Sequence, residues 1–136
     1  MVFHDDDLLH PRYLERAFAL IEEMPNCNLV GCNYEGVEGP TLDELARRNL
    51  NADCWRFKNA AHFASFCMTI NDVAFASCIY RSKAFDRLKP ESEFCPEIGK
   101  MWDRPAMIEL CKGGSIAVLK GIYVDYRLHA GQDTQT

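Results

Sequence analysis

Short apolar runs alternate along this chain with stretches of helical spacing, and that alternation limits the fold more than any other feature. The runs are "NLVGCNY", "VAFASCIY", "SIAVLK" and "IYVDYRLH". Between them, Pro11 suits the first turn of a helix, with Leu14, Phe18 and Ile21 as its apolar face. Thr41 opens a second helix with a capping box, Thr41-x-x-Glu44, and Leu42, Leu45 and Ala46 form its buried side. "NAAHFASFCM" reads as helix, Ser82 caps a short helix through Phe85 and Leu88, and Pro105 to Cys111 reads as a helix closed by Gly113-Gly114. Glu91 to Lys100 reads as loop. "IYVDYRLH" alternates, with Ile122, Val124, Tyr126 and Leu128 on one face and Tyr123, Asp125, Arg127 and His129 on the other. Strands interleaved with helices predict an α/β fold, with a mixed sheet flanked by helices. At 136 residues the chain suits a single domain.

Composition removes several function classes. A net charge of −5 argues against nucleic-acid or anionic-membrane binding through a basic surface, so no nucleic-acid partner is expected. No apolar run approaches the roughly 18 residues that span a bilayer. The first residues are acidic where a secretory leader would be basic. Seven cysteines, none in a C-x-x-C pair and most among apolar neighbours, read as reduced buried thiols of a cytoplasmic protein rather than as a zinc site.

Three places carry candidate chemistry. The first is "VFHDDDLLHPRYLE", in which Met1 to His4 reads as a buried strand ending in Asp5, Asp6 and Asp7. Adjacent carboxylates repel one another unless they are solvated or neutralised. Hard divalent cations take oxygen ligands, and an Asp at the carboxyl end of a strand faces the crevice of an open α/β sheet. The alternative is a solvated turn, or a charge cluster favouring the following helix. The second is "MWDRPAMIELCKGG", where Asp103 is either a helix N-cap or a carboxylate able to take a proton from a hydroxyl. The third is "YRLHAGQDT". His129 is either structural or, beside an acidic cluster, a further metal ligand, and Arg127 suits a phosphate or an internal carboxylate.

Taken in order, these segments resemble the inverting family 2 glycosyltransferases. "VFHDDDLLHPRYLE" is similar to the family's acidic metal motif and the helix start after it, and "NLVGCNY" to the strand that follows. "FASCIYRSKAFDRL" resembles the segment in which a small-residue strand leads to an Arg and a short helix. "MWDRPAMIELCKGG" resembles the region of the catalytic aspartate, and "YRLHAGQDT" the terminal Y-R-x-H-x-G signature. The likeness runs from Val2 to Thr134.

The resemblance implies a GT-A-type (nucleotide-diphospho-sugar transferase) fold and transfer of a sugar, with inversion, from a nucleotide-diphosphate donor to an acceptor hydroxyl. The acceptor class is a glycan or lipid-linked species, as in polysaccharide biosynthesis. It implies that Asp5 and Asp7 hold Mn²⁺ or Mg²⁺ against the diphosphate, with Asp6 as the alternative in an adjacent-pair register. It further implies that His129 contacts metal or phosphate, that Arg127 contacts the donor, that Asp103 is the general base and that Trp102 lines the acceptor site. In the family a nucleotide-binding half precedes the acidic motif, which here begins at residue 5. The expectation is therefore a partial GT-A domain over 1–136, its C-terminal, acceptor-side half. Such a piece would be weakly active or inactive alone, peripheral at a membrane, and a homo-oligomer through the exposed edge of its first strand. A non-catalytic GT-A-like binding or structural module is the alternative, and a metal-dependent phosphohydrolase a more distant one.

Overall fold

The computed structural model describes residues 4–50, 53–69, 73–86 and 103–130. The elements run β1 (Leu8–Leu9), α1 (Tyr13–Glu23), β2 (Cys27–Val37), α2 (Leu42–Ala46), β3 (Cys54–Phe57), α3 (Ala60–Thr69), a 3-10 turn (Phe75–Ser77), β4 (Ile79–Tyr80), α4 (Ser82–Phe85), α5 (Asp103–Cys111) and β5 (Ser115–Arg127). The chain is mixed α/β. Its sheet has the order β1-β5-β2-β4, with β3 also paired to β5.

β5 is the spine of the sheet. β2 runs parallel to it from Cys27↔Ser115 to Val37↔Arg127. With that edge filled, the other edge takes two antiparallel strands in tandem: β3 opposite Ile116 to Leu119, and β1 opposite Val124 and Asp125. Lys120 and Gly121 lie between them, level with the register shifts around Asn33 on β2. "SIAVLK" and "IYVDYRLH" are thus one strand.

Both faces of that strand are covered, which is why it reads as a nearly continuous apolar run. Ala117, Leu119, Tyr123 and Val124 join Val30, Cys32 and the α1 residues Tyr13, Ala17 and Leu20 in one core. Ile116 and Val118 join Leu29, Phe63 of α3, and Met107, Leu110 and Cys111 of α5 in the other. Cys27, Cys32, Cys78 and Cys111 are buried and unbridged, and burial pushes their thiols up, Cys32 to about 12. They are inert core residues.

Several local expectations hold. Thr41 caps α2, its Oγ1 accepting from Glu44 N at 3.3 Å while its hydroxyl donates to the Glu44 carboxylate at 2.7 Å. α5 ends in Gly113, whose φ of 79° is the left-handed closure that favours glycine. The short helix expected at Ser82 is present as α4, but the expected Ser82 cap is corrected: Ser82 is the first helical residue and Arg81 holds the capping position, without a side-chain cap hydrogen bond.

Others are corrected. The buried stripe of α1 is Tyr13, Ala17 and Leu20, while Leu14 and Phe18 are exposed. The two stripes have the same spacing. The inner one is fixed by the Tyr13 hydroxyl, which donates to the Ser77 carbonyl inside the core. "VAFASCIY" is a 3-10 turn and a two-residue strand, not one long strand. Tyr123, Val124 and Asp125 are buried consecutively, so β5 does not alternate between core and solvent there. The strand expected at Met1 to His4 lies mostly outside the described residues, as does any oligomer edge built on it. His4 belongs to no strand, and the strand of this region, β1, follows the aspartates instead of preceding them. The loop Glu91 to Lys100 also lies outside the described residues. Among the described residues no helix is long and apolar enough to cross a membrane.

Candidate metal centre

The acidic triplet occupies the turn that leads into β1. Because Leu8 pairs with Asp125, the turn is drawn across the carboxyl end of β5. Asp7 is folded inward there, and its side chain is only 2% exposed. Its Oδ1 accepts the Arg127 amide at 3.1 Å, a side chain acting as acceptor for backbone at the end of a strand. Its Oδ2 lies 3.6 Å from His4 Nδ1. Asp6 turns the other way, toward the segment beyond β5, and its Oδ2 meets His129 Nε2 at 2.8 Å. That segment is held in place by Leu128, whose amide donates to the Val37 carbonyl at 3.0 Å. Asp5 is exposed.

His4, Asp6 and Asp7 each present a ligand atom within 4.8 Å of the other two. The two carboxylates sit in different electrostatic settings. The hydrogen bond with His129 holds Asp6 below the usual carboxylate range. Burial pushes Asp7 up, opposed by the Arg127 amide and by His4. A buried carboxylate so raised gains most from a cation.

The donor set fits a small divalent ion. Two carboxylates suit Mg²⁺ or Mn²⁺, with substrate or water oxygens filling the remaining positions, while the imidazole favours Mn²⁺ over the harder Mg²⁺. Adjacent ligands of such an ion stand about 3 Å apart and opposite ones about 4.2 Å, so these side chains must draw closer together to hold one.

An outer layer braces the turn. Arg48, in the segment after α2, puts Nη1 2.5 Å from Asp125 Oδ1 and Nη2 3.4 Å from Glu35 Oε2. Asp125 is the residue opposite Leu8, so this ion triad ties α2, β2 and β5 together beneath the residue that follows Asp7. His10 anchors the other end of β1. Its amide donates to the Tyr123 carbonyl at 2.8 Å, and its Nδ1 accepts from the Arg12 amide at 3.1 Å at the start of α1.

The structure brings some of the sequence candidates together and leaves others apart. Asp6, Asp7 and His129 meet, and the backbone of Arg127 joins them. Asp5 is outside the His4-Asp6-Asp7 group, so the clustered carboxylates are the adjacent pair and not the Asp5/Asp7 pair. Asp103 is the first residue of α5, where its charge favours the helix, and its Oδ1 accepts the Arg104 amide at 2.8 Å. Its contact is thus with its own helix. Trp102 lies outside the described residues. Sequence reasoning missed His4, though the spacing His4-x-x-Asp7 was a visible signal. It also missed the Arg48–Asp125 pair, for which the sequence offered only an acid between large apolar residues. Compared with known proteins, the chain matches no family model, no curated protein and no solved structure.

Proposed function

We propose that this chain carries the metal-holding and acceptor-activating groups of an inverting glycosyltransferase with a GT-A-like fold. One observation carries the reading. Two segments singled out separately in the sequence, the acidic triplet and the Y-R-x-H-x-G stretch, meet in space through Asp6 and His129, 123 residues apart. A divalent ion and a nucleotide diphosphate account for that meeting better than a solvated turn does, because a solvated turn needs neither the buried Asp7 nor the two histidines.

In this reading Asp6, Asp7 and His4 hold Mn²⁺ or Mg²⁺. The ion, when bound, supplies positive charge to a leaving nucleoside diphosphate. His129 orients Asp6 by its hydrogen bond, and the Arg127 amide fixes the rotamer of Asp7. Asp103 is the general base. Its Oδ1 is engaged by the Arg104 amide, leaving Oδ2 to take the proton of the acceptor hydroxyl as that oxygen attacks the anomeric carbon. Such a displacement needs no nucleophile on the protein. On the resemblance, Trp102 contacts the acceptor, and the donor is a nucleotide-diphosphate sugar.

The test is a thermal-shift titration of the chain with Mn²⁺, with and without UDP, GDP and dTDP, beside an Asp6→Asn/Asp7→Asn variant. The expected result is a stabilisation of several degrees that needs metal and nucleotide together, from about 1–2 kcal/mol of binding linkage, and that is lost in the variant. A shift that survives in the variant, or none with any nucleotide, refutes the reading.

A further inference from the structure

Away from the acidic turn, a pocket of about 490 Å³ opens between α1 and the middle of the sheet, where β3 ends its pairing with β5. Leu119 and Lys120 of β5, Asp53 and Arg56 beside and on β3, and Arg16 and Glu23 of α1 line it. Its chemistry runs against that of the whole chain. The protein carries a net charge of −5, yet the pocket wall has three cations, Arg16, Arg56 and Lys120, against the two acids Glu23 and Asp53.

These charges are not equivalent. Arg56 and Glu23 neutralise one another, Nη2 lying 2.9 Å from both carboxylate oxygens. Lys120 stacks its ammonium over Trp55 at 5.5 Å. Arg16 differs from both. It is half-buried in the first turn of α1, and its guanidinium makes no hydrogen bond or ion pair among the described residues. A half-buried, unpaired guanidinium facing a pocket is a fork of donors without its acceptor, and its planar geometry matches a carboxylate or phosphate in two-point contact. The volume is that of a small-metabolite site and far exceeds a bare oxyanion. Asp53 already makes an interaction of its own, and the lone pairs that remain on its carboxylate can accept from hydroxyl donors on the rest of the ligand.

We propose that this pocket binds a small hydroxylated oxyanion, a sugar phosphate or a sugar acid, with Arg16 clamping the oxyanion and Asp53 receiving the hydroxyls. The site is separate from the acidic turn and does not rest on the transferase reading.

The experiment is an amide NMR titration of the full chain with glucose 6-phosphate, glucuronate, inorganic phosphate and glucose, in wild type and Arg16→Met. Glucose 6-phosphate or glucuronate should give saturable shifts confined to amides of α1 from Arg16 to Glu23, of Asp53 to Arg56 and of Leu119 to Lys120. The tighter of the two identifies phosphate or carboxylate as the anchor. Inorganic phosphate should bind the same amides more weakly, and glucose should not saturate. Loss of a charge-assisted contact in Arg16→Met should weaken binding about tenfold or more. The proposal is overturned by any of three results: no saturable shifts at these amides up to about 10 mM, well above the range of weak metabolite binding; glucose binding as well as the anions; or an unchanged affinity in Arg16→Met. The wild-type map alone decides if that variant proves unstable.

Discussion

Removing the guanidinium of Arg48 should unfold this protein far more readily than an ordinary surface substitution would. Asp125 is 2% exposed in its side chain and Arg48 26%, with 2.5 Å between Nη1 and Oδ1. Arg48→Met keeps much of the aliphatic stem but strands a carboxylate inside the sheet. Breaking a buried ion pair from one side costs about 3–5 kcal/mol, most of it the penalty of the charge left behind. The value here belongs at the lower end, because water reaches the quarter of Arg48 that is exposed. Glu35, at 3.4 Å and half-exposed, adds little. A loss of about 3 kcal/mol, with a urea slope of about 1.5 kcal/mol/M, moves the unfolding midpoint down by about 2 M. The decisive assay is the double-mutant cycle with Asp125→Asn. If the stranded charge is the cause, Arg48→Met in the Asp125→Asn background should cost about 1 kcal/mol, leaving a coupling of about 2 kcal/mol. A loss below about 1 kcal/mol in the single variant, or strict additivity in the cycle, would refute the argument.

Two further predictions concern residues outside the ion triad itself. A Cβ at Gly114 would lie 2.5 Å from Asn28 Nδ2 and 2.7 Å from the Asn26 carbonyl, which itself accepts the Ser115 amide at 2.9 Å. Gly114→Ala should therefore cost about 2–3 kcal/mol by urea denaturation, and wild-type stability in that variant would show that the β2–β5 start can yield. His10 is buried, and its pKa is pushed below 6.5 by burial, with Arg12 and Arg48 adding to the effect and the Ala46 backbone opposing it. The folded state then binds fewer protons than the unfolded one as pH falls through 6.5, so stability drops until the folded pKa is reached. Wild type should lose more stability than His10→Gln between pH ~7 and ~5.5, and parallel curves would exclude His10 as the source.

The parts of the fold legible in the sequence are those decided by neighbours along the chain. Thr41 and Glu44 make a cap from a four-residue pattern, Gly113 closes a helix from its own backbone freedom, and the β2 run is apolar over several residues. The face of α1 was not legible, because Leu14-Phe18-Ile21 and Tyr13-Ala17-Leu20 repeat at the same interval. Apolarity favours the first stripe. The structure buries the second because Tyr13 finds an acceptor on Ser77, 64 residues away. "VAFASCIY" failed for a related reason. Ala74 and Phe75 take hydrogen bonds from Ser77 and Cys78 within the same segment, so local turns compete with the ladder and leave it only Ile79 and Tyr80.

The candidate site divides along the same line. That acids at one end of the chain and a histidine at the other belong together was readable as two motifs in order. Which acids take part was not, because successive side chains of a turn point in directions set by what the turn joins. Here β1 is only two residues long, and its register, Leu8 opposite Asp125, decides that Asp7 faces the Arg127 amide, that Asp6 faces His129 and that Asp5 is left to solvent. The residue opposite Leu8, Asp125, is an acid that strand alternation assigns to the polar face and that the fold buries against Arg48. The local reading of Asp125 fails where the site is built. A carboxylate placed inside the sheet against Arg48 costs stability that a hydrophobic residue would not. The backbone pairing beside it, Leu8 opposite Asp125, is what aims the two carboxylates that precede Leu8, Asp7 at the Arg127 amide and Asp6 at His129.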